Sequence, residues 1–204
     1  MTSVVILDYG SGNLRSAERA VSRTGVQVSV TADPDRARSA AGLVVPGVGA
    51  FAACMNGLVA VRGPEIIAER ASAGRPTLAI CVGHQVLFSV GIEHGLRAEG
   101  CGIWTGKVEA LHADRLPHMG WNTVEAATGS ELFAGVENER FYFVHSYAVR
   151  ALVENSGRKI TWAEHGGDRF VAAVEDGPIW STQFHPEKSS DAGARLIANW
   201  VATL

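Results

Sequence analysis

Cysteine is scarce in this sequence, and its three copies form no motif with one another. Cys54, Cys81 and Cys101 give no CxxC pair, and an odd number of cysteines cannot all pair internally. Both a disulfide framework and a cysteine-rich zinc site are therefore disfavoured. Unpaired cysteines are typical of a compartment that keeps thiols reduced.

Long apolar runs and clusters of positive charge are also missing. No apolar stretch approaches the roughly 20 residues that span a bilayer, and the start, MTSVVILDYG, has no basic region before its short apolar run. We therefore expect a cytoplasmic protein with no membrane contact. The formal net charge is -3 and the Lys and Arg residues are scattered, which disfavours nucleic acid as a partner.

The composition is that of a chain with one core. Its 204 residues are 47% hydrophobic and 19% charged, and the mean hydropathy is +0.09. Such a chain can bury one sizeable core. The sequence has no internal repeat or low-complexity segment, so we expect a single domain over residues 1–204.

Short apolar runs alternate with helical patterns in the first half of the chain. The strand candidates are VVILD (4–8), VQVSV (26–30), GLVVP (42–46) and TLAIC (77–81). The helix candidates include a face of Leu14, Ala17, Ala20 and Val21, and the stretch 64–73. Alternation of this kind predicts a parallel sheet covered on both faces.

The pattern changes from about Gly102, where short runs are separated by Gly, Asn and Asp. KVEALHA, NTVEA, FYFVHSYAV, KITWAEH and RFVAAVE are typical of antiparallel strands. The chain closes with a helical stripe of Leu196, Ile197, Trp200, Val201 and Leu204. The sequence therefore predicts a three-layer α/β domain with a largely parallel central sheet and an antiparallel extension in the C-terminal half.

Cys81 ends the apolar run TLAIC and is followed by VGHQ. Ala79 and Gly83 flank it at small-residue positions that a sharp turn requires. A helix beginning near Val82 would direct its positive end at the sulfur and favour thiolate. From these residues alone, a nucleophile and a buried structural cysteine remain equal alternatives.

A candidate base occurs in PIWSTQFHPEKSS, where another apolar run ends on His185, Pro186 and Glu187. Pro186 biases its predecessor to extended backbone, so His185 and Glu187 should project to the same side. Such a pair could supply an oriented imidazole; a capped strand end with a solvated Glu is the alternative. His84, closer to Cys81 in sequence, is a rival base, although it should pack beside its helix.

A third strand end, VVPGVGAF at 44–51, places glycines where backbone N–H groups could face one point. Taken alone, PGVG is also an ordinary tight turn. An oxyanion hole requires N–H groups arranged in this way.

The order PGVGAF, AICVGHQ, QFHPEKS resembles the class I (triad) glutamine amidotransferases, which have a glycine-rich oxyanion strand, a G-x-C-x-G-x-Q elbow and a late H-P-E. DYGSGNLRS, PHMGWN (117–122) and FYFVHSY (141–147) are similar to segments of the glutaminase subunits of imidazole glycerol phosphate synthases. The resemblance spans nearly the whole chain. Two positions depart from it: Ala79 replaces a glycine, a substitution that should leave the turn mildly crowded, and His84 replaces a methionine.

The resemblance implies hydrolysis of L-glutamine through a thioester on Cys81, with His185 as acid and base and Glu187 orienting it. It implies oxyanion donors at Val82 and in the Val48 to Gly49 region. The glutamine head would be held by the side chains of Gln85 and Glu93 and by backbone of Gly49, His145 and Ser146. Without the resemblance, Glu93 in VGIEHG is an ordinary surface loop residue.

The resemblance also implies a heterodimer with a (β/α)8 cyclase subunit. That enzyme makes imidazole glycerol phosphate and aminoimidazole carboxamide ribotide in histidine biosynthesis. The implied interface residues are Asn13, Trp121, Tyr142 and Lys188. Taken singly, these are equally a helix cap, two core aromatics and a solvated charge. We expect neither a cofactor nor a metal.

Three other functions remain alternatives at this point. They are a glutaminase subunit of pyridoxal phosphate synthase, a cysteine hydrolase of the same fold, and an interaction subunit with a decayed site. DYGSGNLRS and FYFVHSY favour the histidine-pathway subunit over the first. Intact Cys81, His185 and Glu187 disfavour the last.

Overall fold

The computed structural model describes residues 2–152 and 157–204. Within these ranges the strands are β1 (Ser3–Leu7), β2 (Gln27–Thr31), β3 (Gly42–Gly47), β4 (Thr77–Cys81), β5 (Phe88–Glu93), β6 (Leu96–Glu99), β7 (Trp104–Ala110), β8 (His118–Thr123), β9 (Arg140–His145), β10 (Tyr147–Val149), β11 (Lys159–His165), β12 (Asp168–Asp176) and β13 (Ile179–Thr182). The α-helices are α1 (Leu14–Ser22), α2 (Pro34–Ser39), α3 (Phe51–Ala60), α4 (Gly63–Ser72), α5 (Val82–Gln85) and α6 (Ser190–Val201), and Pro186–Lys188 is a 3-10 turn.

A seven-stranded sheet forms the centre of the fold, in the order β11-β12-β13-β4-β3-β1-β2. Strands β2, β1, β3, β4 and β13 run parallel to one another, and β12 and β11 add an antiparallel edge. Every residue of β3 and β4 is buried, because parallel strands covered on both faces are apolar throughout. The predicted largely parallel sheet with an antiparallel extension is confirmed.

The extension is smaller than the sequence pattern indicated. Only β11 and β12 extend the central sheet, whereas β10-β7-β5-β6 form a four-stranded sheet and β8-β9 a separate pair. Strand patterns show that a segment is extended but not which strand it pairs with, since pairing depends on long-range register. The NTVEA run also differs, because β8 ends at Thr123 and Glu125 makes only an isolated bridge to Trp162.

The helices lie close to their predicted positions. Helix α4 begins one residue before the predicted stretch, with Pro64 in its first turn. Proline is tolerated there because N–H groups in the first turn of a helix have no acceptor within the helix. Ala17 and Val21 of α1 are buried, as are Leu196, Ile197 and Trp200 of α6. Leu204 lies beyond the end of α6 but still packs on the core.

Helices α1 and α6 contact each other, and α2 and α3 each contact α4. In the described ranges no single helix is long and apolar enough to cross a membrane. The consecutive helices α3 and α4 together have the length and composition, but the chain bends by 77° between them.

Candidate functional site

Cys81 lies at the carboxyl end of β4 with φ +58 and ψ -114. This backbone conformation is strained for a residue other than glycine, and α5 begins at the next residue. Gly83 makes the turn possible, because a Cβ there would lie 2.0 Å from the carbonyl oxygen of Val45. Ala79 lies inside β4, opposite Val45 and Ser181, and the turn forms beyond it. The thiol is thus presented where strand meets helix.

The glycine-bearing loop after β3 lies directly beside this turn, since Gly47 is the register partner of Cys81. A Cβ on Gly47 would lie 2.4 Å from the backbone nitrogen of Gly83. The next two residues, Val48 and Gly49, are exposed just beyond the carboxyl end of β3, and Gly49 has φ +87. The two loops can approach this closely only because both carry glycine.

Ser11 fixes the orientation of Val48. The Val48 N–H donates to Ser11 Oγ at 3.1 Å, and Ser11 Oγ donates to the Val48 carbonyl at 2.8 Å. The thiol of Cys54 also lies 3.2 Å from that carbonyl. Among the described residues no group accepts the Gly49 N–H. Of the two donors expected from this loop, Gly49 is therefore the one left open.

His185 and Glu187 follow β13, the strand that pairs with β4 on the side opposite β3. His185 has extended backbone, with φ -101 and ψ 94, and Glu187 lies in the 3-10 turn. Their side chains meet at 2.7 Å between Nδ1 and Oε1. An ionised Glu187 carboxylate has no hydrogen to donate, so Nδ1 of His185 must carry the proton that joins them. The Nε2 atom of His185 is then free to accept a proton.

The Nε2 atom of His185 is buried without a hydrogen-bond partner among the described residues. Burial by itself would lower the pKa of His185, but contacts with Cys81 and Glu187 outweigh it and raise that pKa to about 9. An imidazolium next to sulfur favours the thiolate, the reactive form of cysteine. The site can therefore hold a thiolate–imidazolium pair.

The backbone of His185 is also held firmly. Its N–H donates to the Tyr142 carbonyl at 2.9 Å, and Ser189 Oγ donates to its carbonyl at 2.6 Å. The Tyr142 N–H in turn donates to Ser189 Oγ at 2.9 Å. Strand β9 and the start of α6 thus fix the imidazole next to Cys81.

The rival base, His84, faces away from the cavity described below. Its Nδ1 lies 2.8 Å from Ser181 Oγ, and the side chain is fully buried. Burial lowers the pKa of His84 to about 3. A group that is neutral and points into the core is poorly placed to accept the thiol proton.

A cavity of about 590 Å³ opens at this edge of the central sheet. Most of the residues singled out by sequence line it: Val48, Gly49, Cys81, Val82, Gln85, Glu93, His145, Ser146, His185 and Lys188. His94, Leu116, Pro117, Val144 and Tyr147 complete the lining. Glu187 lies behind His185, and the lining excludes Asn13, Trp121 and Tyr142.

Gln85 and Glu93 line the cavity, and each keeps one side-chain oxygen that accepts no hydrogen bond from the described residues. Both N–H groups of the Gln85 amide are used, by the Tyr147 carbonyl at 2.8 Å and by Gln183 Oε1 at 2.9 Å, so its Oε1 remains. Glu93 lies on β5 and not in a surface loop, and its Oε2 accepts the Phe51 N–H at 2.7 Å. Two acceptors in one cavity suit a ligand that carries an ammonium group.

Neutral histidines fix the segment 144–147 on the far side of the cavity. His145 Nδ1 donates to the Tyr147 carbonyl at 3.0 Å, so its Nε2 accepts from His118 Nδ1 at 2.9 Å. Burial lowers the pKa of His145 to about 3 and that of His118 to about 4. The backbone of Ser146 is thereby held at the cavity wall.

Of the four predicted interface residues, only Lys188 lines the cavity. The others precede α1 or lie on β8 and β9: Asn13, Trp121 and Tyr142. Asn13 occupies the N-cap position of α1, yet its side chain makes no capping hydrogen bond. Trp121 is 43% exposed and packs edge-to-face on the half-buried Tyr142, with ring centroids 6.1 Å apart. Lys188 is exposed at the cavity rim. Neither aromatic side chain belongs to the core.

Sequence reasoning gave no role to four residues that the structure places around the site. Ser11 clamps Val48, Gln183 contacts Cys81, Tyr147 accepts from Gln85, and His118 supports His145. All four lie inside the segments that carry the resemblance, which was the available signal: Ser11 in DYGSGNLRS, His118 in PHMGWN, Tyr147 in FYFVHSY and Gln183 in QFHPEKS. Their partners are distant in sequence, so the motifs alone could not assign them.

Comparison with known proteins gives the same family over the full chain. The family described as Glutamine amidotransferase class-I matches residues 5–204. The imidazole glycerol phosphate synthase subunit HisH of Nocardia farcinica is 62% identical, covering 99% of this chain and 98% of that protein. The subunit of the same name from Corynebacterium efficiens is 60% identical, covering 98% of this chain and 97% of that protein.

Solved structures share the fold at lower identity. A crystal structure described as a glutamine amidotransferase has a TM-score of 0.75 at 18% identity, covering 98% of this chain and 99% of that one. PurLQS from Thermotoga maritima gives the same TM-score and identity, with 98% and 97% covered. The chain therefore belongs to the class-I glutamine amidotransferases, and within them to the HisH family of imidazole glycerol phosphate synthase subunits.

Proposed function

We propose that this chain hydrolyses L-glutamine to glutamate and ammonia and delivers the ammonia to a cyclase subunit in histidine biosynthesis. Family membership supports the reaction class. The single observation that carries the proposal is the arrangement of Cys81 on its strained turn in the same cavity as His185, which Glu187 orients at 2.7 Å.

The first half of the reaction forms a thioester. His185 Nε2 takes the thiol proton, and the Cys81 thiolate attacks the carboxamide carbon of glutamine. The developing oxyanion faces the N–H groups of Val82 and Gly49, and removal of one such donor typically costs about 3 to 4 kcal/mol. When the C–N bond breaks, His185 returns the proton to the departing nitrogen, which leaves as ammonia.

The second half regenerates the enzyme. His185 Nε2 takes a proton from water, which attacks the thioester carbon, and collapse of the second tetrahedral intermediate releases glutamate and the Cys81 sulfur. Gln85, Glu93 and the backbone at Gly49, His145 and Ser146 hold the amino-acid head of glutamine. Glu187 keeps the imidazole in the Nδ1–H tautomer throughout.

The partner we propose is a (β/α)8 cyclase that uses the ammonia to make imidazole glycerol phosphate and aminoimidazole carboxamide ribotide. Free ammonia is mostly protonated at neutral pH and is then no nucleophile, so transfer must avoid bulk water. The docking surface consists of Asn13, Trp121, Tyr142 and Lys188. Exposed apolar side chains adjoin it at the cavity and on β8: Val48, Leu116 and Met119. Such aromatic and apolar groups serve as interface anchors.

The same proposal includes a single domain over residues 1–204, a cytoplasmic location and a heterodimer. The test is a glutaminase assay of the isolated chain, repeated with a histidine-pathway cyclase subunit and then with its nucleotide substrate. We expect slow hydrolysis alone and strong activation in the complete system. Hydrolysis of other amides or of peptides in preference to glutamine would instead indicate a cysteine hydrolase. Activation only by the partner subunit of a pyridoxal phosphate synthase would instead indicate the glutaminase subunit of that enzyme.

A further inference from the structure

A fully buried amide lies beside the nucleophile and has no part in the mechanism above. Gln183 directly follows β13, two positions before His185, and its side chain is 0% exposed. Its backbone N–H donates to the Ala172 carbonyl at 2.8 Å, which fixes the residue to β12. Its Nε2 atom lies 3.9 Å from Cys81 Sγ. The amide is thus held near sulfur by the sheet itself.

The orientation of this amide follows from its neighbours. Gln85 Nε2 donates one hydrogen to the Tyr147 carbonyl and the other to Gln183 Oε1. Because a carbonyl can only accept, the Gln85 amide cannot be reversed without breaking the contact with Tyr147. Gln183 must then turn Oε1 to Gln85 and its NH₂ group to Cys81.

A donor at this distance does little for a neutral thiol but more for a charged one. Hydrogen bonds to an ionised acceptor are shorter and roughly twice as strong as those between neutral groups. A buried, pre-oriented donor also needs no rearrangement when the charge forms. The chemistry of the contact therefore favours the thiolate form of Cys81.

We infer that Gln183 is a further catalytic residue, whose amide N–H stabilises the Cys81 thiolate while its carbonyl holds Gln85 against the cavity. The inference rests on the proposed role of Cys81 as nucleophile. Two groups would then stabilise the negative sulfur, the His185 imidazolium by its charge and the Gln183 amide as a neutral hydrogen-bond donor. It also links the sulfur to Gln85, one of the groups proposed to hold the substrate.

Several titratable groups surround Cys81 and remain in place when Gln183 is changed. They are Tyr9 and Cys54 beside the loop after β3, His84 on α5, His185 and Glu187 after β13, and Glu93, His94, His145 and Lys188 around the cavity. A change in the pH dependence of Cys81 reactivity in a Gln183 variant would thus report on the amide.

The test measures iodoacetamide alkylation of the Cys81 peptide by mass spectrometry from pH 6 to pH 10. Gln183→Met removes the donor and keeps a side chain of similar length. We expect the alkylation rate at pH 7 to fall about tenfold, the factor that corresponds to 1.4 kcal/mol. The difference between the two proteins should shrink as the pH rises, because high pH favours the thiolate form of a cysteine whether or not the donor is present. Equal rates at every pH would overturn the inference.

Ser181→Ala is the matched control. Ser181 lies on β13, two residues before Gln183, where it is the register partner of Ala79 and contacts His84 of α5 at 2.8 Å. Among the hydrogen bonds of the described residues, none joins Ser181 to the sulfur. We expect its alkylation rate at pH 7 to stay within about twofold of the unmodified protein. If Ser181→Ala slows alkylation as much as Gln183→Met, the effect is a general loosening of α5 and the inference is wrong.

A second variant covers failure of Gln183→Met to fold, which a thermal melt detects. Gln183→Glu keeps an oxygen near Gln85 and removes the donor to sulfur, so alkylation at pH 7 should again slow, and unchanged rates would refute the inference. Alkylation needs no glutamine. Absence of ammonia release by the unmodified complex would therefore overturn the proposed function. The alkylation rates would still decide whether the Gln183 amide stabilises the thiolate.

Discussion

Glu187 and His185 form a buried pair in which Oε1 of Glu187 lies 2.7 Å from Nδ1 of His185, with side chains 3% and 2% exposed. Because only His185 transfers protons, His185→Asn should lower kcat about 10³-fold or more. Glu187→Gln should be less damaging by roughly one to two orders of magnitude. Glutamate release by the cyclase complex measures both.

The same pair gives a pH readout. The carboxylate contributes to raising the pKa of His185 to about 9, so Glu187→Gln should lower that pKa, which an NMR titration of the imidazole would detect. An unchanged titration would contradict the assigned contact. Equal kcat values for Glu187→Gln and the unmodified chain would remove Glu187 from the mechanism.

Cys81 combines an essential thiol with a strained backbone, so two of its substitutions should separate activity from stability. Cys81→Ala and Cys81→Gly should both abolish glutamine hydrolysis. At φ +58, glycine relieves backbone strain that alanine retains. Cys81→Gly should therefore be more stable than Cys81→Ala by about 1 kcal/mol. Urea unfolding measures the difference. Near-normal ammonia release from Cys81→Ala would refute the proposed chemistry.

Gly47 has no spare space around its Cα. A methyl group there would meet Gly83 N at 2.4 Å and Val82 C at 2.9 Å, so Gly47→Ala should push the loop away from the nucleophile turn. Loss of one aligned oxyanion donor predicts a fall in kcat of about 10² or more. For Gly42→Ala, at the other end of β3, the three atoms nearest to the new methyl group are side-chain ends of Leu204 and Trp200. This substitution should leave kcat nearly unchanged. Equal effects of the two substitutions would contradict this prediction.

His84 makes stability depend on pH. Burial lowers its pKa to about 3 in the folded chain, against roughly 6.5 in the unfolded chain. Between about pH 3 and pH 6.5 the imidazole of His84 binds a proton in the unfolded chain but not in the folded chain. The free energy of unfolding is therefore at its full value above about pH 6.5 and decreases as the pH falls below it. His84→Met should reduce the slope of unfolding free energy between pH 4 and 6 by about 1.4 kcal/mol per pH unit.

Urea unfolding at a series of pH values tests the prediction for His84, and the range from pH 7.5 to 8.5, where His84 is neutral in both states, is the internal control. A slope between pH 4 and 6 that His84→Met leaves unchanged would contradict it. Because His84 faces Ser181 and not the cavity, His84→Met should also keep its glutaminase activity. A loss as severe as that of His185→Asn would reassign the base.

Trp121 should act through the partner. The residue is 43% exposed and its ring packs edge-to-face on Tyr142. Truncation of such an anchor typically costs about 2 kcal/mol of binding. Trp121→Ala should weaken cyclase binding and activation while leaving hydrolysis by the isolated chain unchanged. Val59→Ala, an exposed apolar residue on α3, is the control and should bind normally. Normal activation of Trp121→Ala would remove β8 from the docking surface.

Local sequence pattern is sufficient to predict several elements of the fold. TLAIC coincides with β4 at residues 77–81, because a continuous apolar run closed by a glycine-bearing turn has few other solutions. His185 and Glu187 are two residues apart, so Pro186 and the local backbone suffice to bring them together. Alternating strands and helices likewise predicted the parallel sheet, since parallel neighbours need a crossover between them.

Tertiary structure alone decided which distant groups meet. The pairing of β13 with β4 sets His185 beside Cys81. The hydrogen bonds from the Val48 N–H to Ser11 Oγ and from Gln85 Nε2 to Gln183 Oε1 join segments far apart in the chain. Glu93, which local pattern placed in a surface loop, lies on β5 because that strand pairs with β6 and β7. Such contacts depend on strand register and on the burial of specific polar groups, neither of which a local hydrophobic pattern encodes.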